Sequence, residues 1–170
     1  MSVRKIVTLP HPVLRQKARK VSDFGPELQQ LIDDMVETMR SAPGVGLAAP
    51  QVGVPWRVIV VEYAEEEDEN TSPKLYTLVN PEIARFSNET VTGVEGCLSI
   101  PEIAGDVERQ EKVTIKGLNR NKQLVKIKAD GWLARIFQHE IDHLDGILFT
   151  DRAEKVWKLE GETAQVASAD

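Results

Sequence analysis

GWLARIFQHEIDHLDG, residues 131–146, decides how this chain is read. Trp132, Ile136 and His139 fall on one stripe at helical spacing, and Gly146 stands where a helix closes. On a helix, His139 and His143 lie one turn apart on the same face, so both imidazoles can address one ion. Glu140 is turned away by about 100°. It flanks such an ion and is placed to take a proton from a bound water. This is the H-E-x-x-H arrangement. A helix with two packed or exposed histidines carries the same letters, so the motif alone leaves both readings open.

A catalytic site of this type needs a third protein ligand and a position for water. Downstream candidates are poor. Asp145 is too close to His143 in sequence to swing round, and Glu154 and Glu160 stand in a weakly patterned tail. Upstream, EGCLS (95–99) holds the only cysteine, Cys97. A thiolate is a strong ligand for ions of this class. Alone, a buried free cysteine is more often a small hydrophobe. Beside H-E-x-x-H, Cys97 becomes the candidate third ligand.

Working outward, GPELQQLIDDMVETMRSAPG (25–44) is a helix. Leu28, Leu31, Ile32, Met35, Val36 and Met39 make its apolar face, and Pro43 and Gly44 stop it. RKIVTL (4–9) reads as a short strand ended by Pro10, and RVIVVEY (57–63) as a buried strand. YTLVNPEIARFS (76–87) reads as a strand interrupted at Asn80–Pro81, and KVTIKGLNRNKQLVKIKA (112–129) as a hairpin. AEEEDENTSPK (64–74) reads as a surface loop; it lacks the spaced oxygens and central glycine of an EF-hand. ILFTDR reads as a short extended piece. Strands and helices are segregated, which points to an α+β fold with antiparallel or mixed sheets around the histidine-bearing helix. The expected boundaries are a catalytic domain over 1–152 and a tail over 153–170 that begins as a helix and fades into disorder.

The chain has 170 residues and a net charge of −6, with its basic residues scattered apart from clusters at Arg15–Lys20 and Arg120–Lys128. That balance argues against broad DNA binding. There is no apolar run near the ~20 residues of a membrane span and no signal-peptide pattern. A single cysteine fits a reducing compartment. The expectation is a cytoplasmic protein.

Three motifs together resemble the peptide deformylases. GVGLAAPQ (44–51) is similar to that family's G-x-G-x-A-A-x-Q, EGCLS (95–99) to its E-G-C-x-S, and QHEIDHLDG (138–146) to its Q-H-E-x-D-H. PHPVLRQKA (10–18) resembles its N-terminal pattern, with His11 where aspartate is common. The resemblance runs from about residue 3 to residue 152. It implies removal of the N-formyl group from the initiator methionine of nascent chains, by amide hydrolysis with a metal-bound water. Cys97, His139 and His143 would bind the metal, Glu140 would be the acid/base, and Gln51 with the Leu98 N–H would face the formyl oxygen. The ion implied is Fe(II), with Zn, Ni or Co also suited to sulfur and imidazole. Transient contact with the ribosome is implied as well.

The glycines of GVG do not complete a dinucleotide fingerprint. Gly44 and Gly46 suit a strand approached by an extended peptide. Val45, Trp132 and Ile136, with the ring of His139, are candidates for the methionine pocket, and ordinary core is the equal alternative. Arg135 and Gly93 stand where some family members carry larger apolar residues, which bears on pocket shape. Glu95 is expected to pair with Arg109, and Asp142 to steady a ligand or the helix. The rivals are a zincin-type endopeptidase with another third ligand, and a binding module that kept the site without activity.

Overall fold

The computed structural model describes residues 2–64 and 72–159. Helix α1 covers Pro26–Ser41, with Pro26 at its first turn, and its six apolar side chains are all buried. They pack on Leu47, Val58, Val60 and Val79. Strand β1 (Gly46–Ala48) follows, then β2 (Val58–Tyr63) and β3 (Lys74–Phe86). Strands β4 (Thr90–Cys97) and β5 (Ile100–Gln110) form a long hairpin, and β6 (Lys112–Leu118) and β7 (Leu124–Asp130) another. Helix α2 (Gly131–Leu144), a single turn α3 (Phe149–Arg152) and β8 (Lys155–Lys158) complete the order.

Two antiparallel sheets result, five-stranded β1-β2-β3-β6-β7 and three-stranded β4-β5-β8. The apolar run of β2 has a direct cause: both its faces are covered. Val58 and Val60 face α1, while Ile59 and Val61 join Leu133, Ile136 and Phe137 of α2. The five-stranded sheet is thus held between the two helices, and α2 is the central helix expected of an α+β fold. Gly146, at φ +75°, ends that helix region where any Cβ would meet the Arg15 carbonyl oxygen at 2.6 Å. No helix among the described residues is long and apolar enough to cross a membrane.

Several expectations are corrected. Residues 4–9 join no sheet. They form an extended strap that bonds singly to separate partners: Arg4 N–H to Thr38 Oγ1, Val7 N–H to the Gln51 carbonyl and Leu9 N–H to the Ser99 carbonyl. The strap is also tied to α1 by Arg4 on Asp34, 2.9 Å. His11 does the capping work of an aspartate, since its Nδ1 accepts from the Val13 N–H at 3.1 Å. Asn80–Pro81 does not interrupt β3. The ladder takes a register shift between Val79 and Glu82, Asn80 adopts φ +54°, and its side-chain amide clasps both backbone polar groups of Val21.

ILFTDR is not extended throughout; Phe149–Arg152 makes a helical turn in which Asp151 Oδ2 accepts from the Leu148 N–H. The start of the tail is not a helix either. Lys155–Lys158 pairs with β5 from Ile103 to Asp106, adding a strand to the smaller sheet. The expected disorder beyond residue 159, and most of the expected loop at 64–74, lie outside the described residues.

Phe137 is fully buried and meets Tyr76 edge to face, ring centroids 5.3 Å apart, locking α2 onto the sheet. Phe137→Ala is expected to cost about 3–5 kcal/mol of unfolding free energy. Urea denaturation checks this, and a loss below about 1 kcal/mol would show that α2 is not held by this contact.

Candidate active site

Two elements converge to build the site. Helix α2 projects His139 and His143 from successive turns of one face, both almost fully buried, with ring centroids 5.1 Å apart. Strand β4 ends at Cys97, whose Sγ lies 3.3 Å from His143 Nε2. One donor atom from each of the three residues falls within 4.8 Å of the others. Tetrahedral S and N ligands at ordinary metal distances sit about 3.4–3.7 Å apart. The Cys97–His143 pair is at about that spacing, and all three donors lie close enough to converge on one divalent ion.

The orientation of His139 comes from Glu95, two residues before Cys97. His139 Nδ1–H donates to Glu95 Oε1 at 2.9 Å, which leaves Nε2 as the nitrogen to serve a metal. Glu95 is completely buried. Burial pushes its carboxyl up, but the hydrogen bonds and charges of Arg109 and His139 outweigh burial and hold it well below the usual carboxylate range. The expected Arg109 pair is a two-pronged fork, Nη2 to Oε1 at 2.8 Å and Nε to Oε2 at 2.9 Å. Arg109 also donates to Asp142 Oδ2 at 2.6 Å, and Arg152 donates to both oxygens of the same carboxylate. Asp142 therefore steadies the helix through two arginines. Asp145 points elsewhere, to Arg57 at 3.1 Å.

Glu140 is fully buried and lies against the backbone of β1. A Cβ built on Gly46 would stand 2.6 Å from Glu140 Oε2. The glycine permits a close approach, and the side chain that comes close is the carboxylate. Gln51, also fully buried, sits in the turn after β1. Its Oε1 accepts from the Ala48 N–H at 3.0 Å, which directs Nε2 to Ser99 Oγ (3.2 Å) and Cys97 Sγ (3.6 Å). Leu98 lies in the turn directly after Cys97 and is half-buried. The pocket candidates divide. Ile136 belongs to the core and Val45 packs against the same cluster. Trp132 stands partly exposed at a neighbouring cavity of about 140 Å3, with Gly93 and Arg135.

Arg135 is the residue whose role the sequence reading missed. It donates to Glu95 Oε2 at 2.6 Å as a second arginine on that carboxylate. The available signal was its place four residues before His139, on the same buried stripe. An arginine buried there needs a carboxylate partner.

An α+β chain with a buried Cys/His/His cluster and an adjacent carboxylate belongs to the class of candidate metal-dependent hydrolases. Comparison with known proteins narrows the class. Residues 3–158 match the family described as Polypeptide deformylase. The peptide deformylase of Symbiobacterium thermophilum is 51% identical, over 98% of this chain and 76% of its own. That of Natranaerobius thermophilus is 49% identical, over 94% and 98%. Among solved structures, peptide deformylase from Ehrlichia chaffeensis in complex with actinonin superposes with a TM-score of 0.85 at 40% identity, covering 91% of each chain. The Met-Ala-Ser-bound class I type b enzyme of Acinetobacter baumannii gives 0.81 at 41% identity, covering 89% and 99%. The chain belongs to the polypeptide deformylase family of enzymes, which remove the N-formyl group from nascent peptides.

Cys97→Ala, His139→Ala and His143→Ala should each bring bound divalent metal from about one ion per chain to near none after desalting, as read by elemental analysis. Full retention by Cys97→Ala would point to a different third ligand.

Proposed function

We propose that this chain hydrolyses the N-formyl group of peptides beginning with N-formylmethionine, using one divalent ion held by Cys97, His139 and His143. The observation that carries the reading is the convergence of that buried donor set with the Glu140 carboxylate beside Gly46. The closeness of Cys97 to His143 favours this over an endopeptidase with another third ligand. Fe(II) is the ion proposed, and Zn, Ni or Co suit the same donors.

When bound, the ion supplies a Lewis acid that lowers the pKa of water towards neutrality. The chain's own residues do the rest. Glu140 takes the proton of the attacking water and delivers it to the departing amine, which is otherwise a poor leaving group. Gln51 Nε2 and the Leu98 N–H donate to the formyl oxygen as it gains charge. Gln51 is already oriented for this by its bond from Ala48. Strand β1 is an outer strand of its sheet, so an extended peptide can add to it through main-chain hydrogen bonds. That mode leaves residues beyond the first little constrained. Val45, next to Gly46, supplies apolar surface for the methionine side chain and is backed by Ile136 from the core, while Trp132 lines the neighbouring cavity. Nascent formylated chains are the partners, met in the cytoplasm during transient contact with the ribosome.

The test is formate release from formyl-Met-Ala-Ser by anaerobically prepared Fe(II) protein, with acetyl-Met-Ala-Ser as control. Formate from the first and no acetate from the second is expected; no formate from metal-loaded protein would sink the proposal. Glu140→Ala should keep its metal and lose nearly all turnover, and an unchanged kcat would remove Glu140 from the mechanism. Gly46→Ala should fold and hold metal but lose turnover steeply, because the added methyl displaces the carboxylate. Gln51→Ala should lose about 3 kcal/mol of transition-state stabilisation, on the order of 10²-fold in kcat. A loss under about threefold would show that this donor does not act.

A further inference from the structure

The three candidate ligands ride on two bodies of structure. His139 and His143 belong to α2, packed in the core of the five-stranded sheet, whereas Cys97 ends a strand of the three-stranded sheet. One ion can be held well only if those bodies are fixed to within about 0.5 Å. Arg109 provides one tie, reaching from β5 to Asp142 on α2. The His139 bond to Glu95 and the Gln138 side chain, which bonds both backbone polar groups of Gln110, add ties in the middle of the helix.

Arg135 provides the tie nearest the start of the helix, one turn before His139. Its hydrogen bonds run from α2 to the β4–β5 hairpin: Nη2 to the Val91 carbonyl at 2.6 Å, Nη1 to the Val107 carbonyl at 2.9 Å, and Nη1 to Glu95 at 2.6 Å. The guanidinium lies flat on Gly93, which pairs with Val107 in the ladder. A Cβ at position 93 would stand 2.9 Å from Arg135 Cζ and 3.0 Å from Nε and Nη2. The Trp132 ring lies 5.5 Å from the same guanidinium. A lysine, with one point of charge on a flexible stem, cannot bond three fixed acceptors on a planar fork.

We infer that Arg135, seated on Gly93, is a positioning residue that sets the distance between the helix-borne histidines and the strand-borne thiolate. The Arg135 tie and the Arg109 tie to Asp142 lie on either side of His139, and ties spread along one rigid helix fix rotation as well as separation. Gly93 and Arg135 act as one unit. The inference rests on the reading of Cys97, His139 and His143 as ligands.

The probe is Co(II) bound to the full chain. Thiolate-to-Co(II) charge transfer in the near ultraviolet reports the Cys97 bond, and release to a chelator reports how well the ion is held; neither requires turnover. Arg135→Met is expected to keep the wild-type circular dichroism while Co(II) release rises 10–100-fold, roughly the effect of losing an outer-shell partner. Its charge-transfer band weakens, and Arg135→Lys recovers little. Gly93→Val should produce the same change although Arg135 is chemically intact. The double variant should be no worse than the more affected single one, because both substitutions remove the same contact.

A folded Arg135→Met with wild-type band and release rate overturns the inference, as does multiplication of the two effects in the double variant. If Arg135→Met does not fold, Gly93→Val decides by the same readings. A wild-type protein with a normal Co(II) band but no formate release sinks the functional proposal and leaves this inference standing. Absence of the band in wild type overturns the inference together with the ligand set.

Discussion

The carboxylate of Glu95 is the constraint on which the site depends. A carboxylate has about four lone-pair positions, and here all are used. Oε1 accepts from Arg109 and His139, and Oε2 accepts from Arg109 and Arg135. A fully buried charge is tolerated only when paired and hydrogen-bonded this completely. The arrangement also sorts the surroundings. It fixes the face of the His139 ring, ties the strand that ends in Cys97 to the helix, and draws two arginines out of water into the protein. Removing Glu95 would take the shared carboxylate from two buried arginines and the His139 ring at once, so the group depends on that one residue.

Glu140 depends on a different kind of constraint. The missing side chain at Gly46 leaves the room that its carboxylate occupies. That difference suits the two carboxylates to different work. Glu95 is held firmly ionised by its cations. Glu140, proposed as the proton carrier, has to change state instead.

Much of the site was legible in the sequence because it is local. Helical spacing alone places His139, Glu140 and His143 relative to one another, and a lone cysteine near such a helix is a natural ligand. Helix α1, β2 and the β6–β7 hairpin were legible for a similar reason, their apolar residues recurring at the period of the element. The β4–β5 hairpin was not. Gly93, Gly96 and Gly105 dilute its pattern, and its inward residues include Glu95 and Arg109, which read as exterior until their partners are known. The strap at 4–9 misled in the opposite way. Its apolar character is real, but its backbone bonds go one by one to Thr38, Gln51 and Ser99 rather than to a neighbouring strand. Arg135 was named from its position but not from its partner, since nothing local joins residue 135 to residue 95.

Because β2 is apolar on both faces, its polarity pattern cannot set its alignment. In most sheets a one-residue slip turns apolar side chains to water, and that penalty fixes the register. A slip through Val58–Ile59–Val60–Val61 merely exchanges one buried branched side chain for another. The alignment has to be carried by the polar residues at the two ends. Arg57 donates to the Leu144 carbonyl and pairs with Asp145, its own carbonyl accepts from the Asn80 N–H, and Glu62 is gripped by Arg40. Gly46 faces Val61 in the ladder. A slip between β1 and β2 would bring Val45 or Leu47 to the place where only glycine leaves room for Glu140, so these contacts also keep the Glu140 carboxylate in alignment.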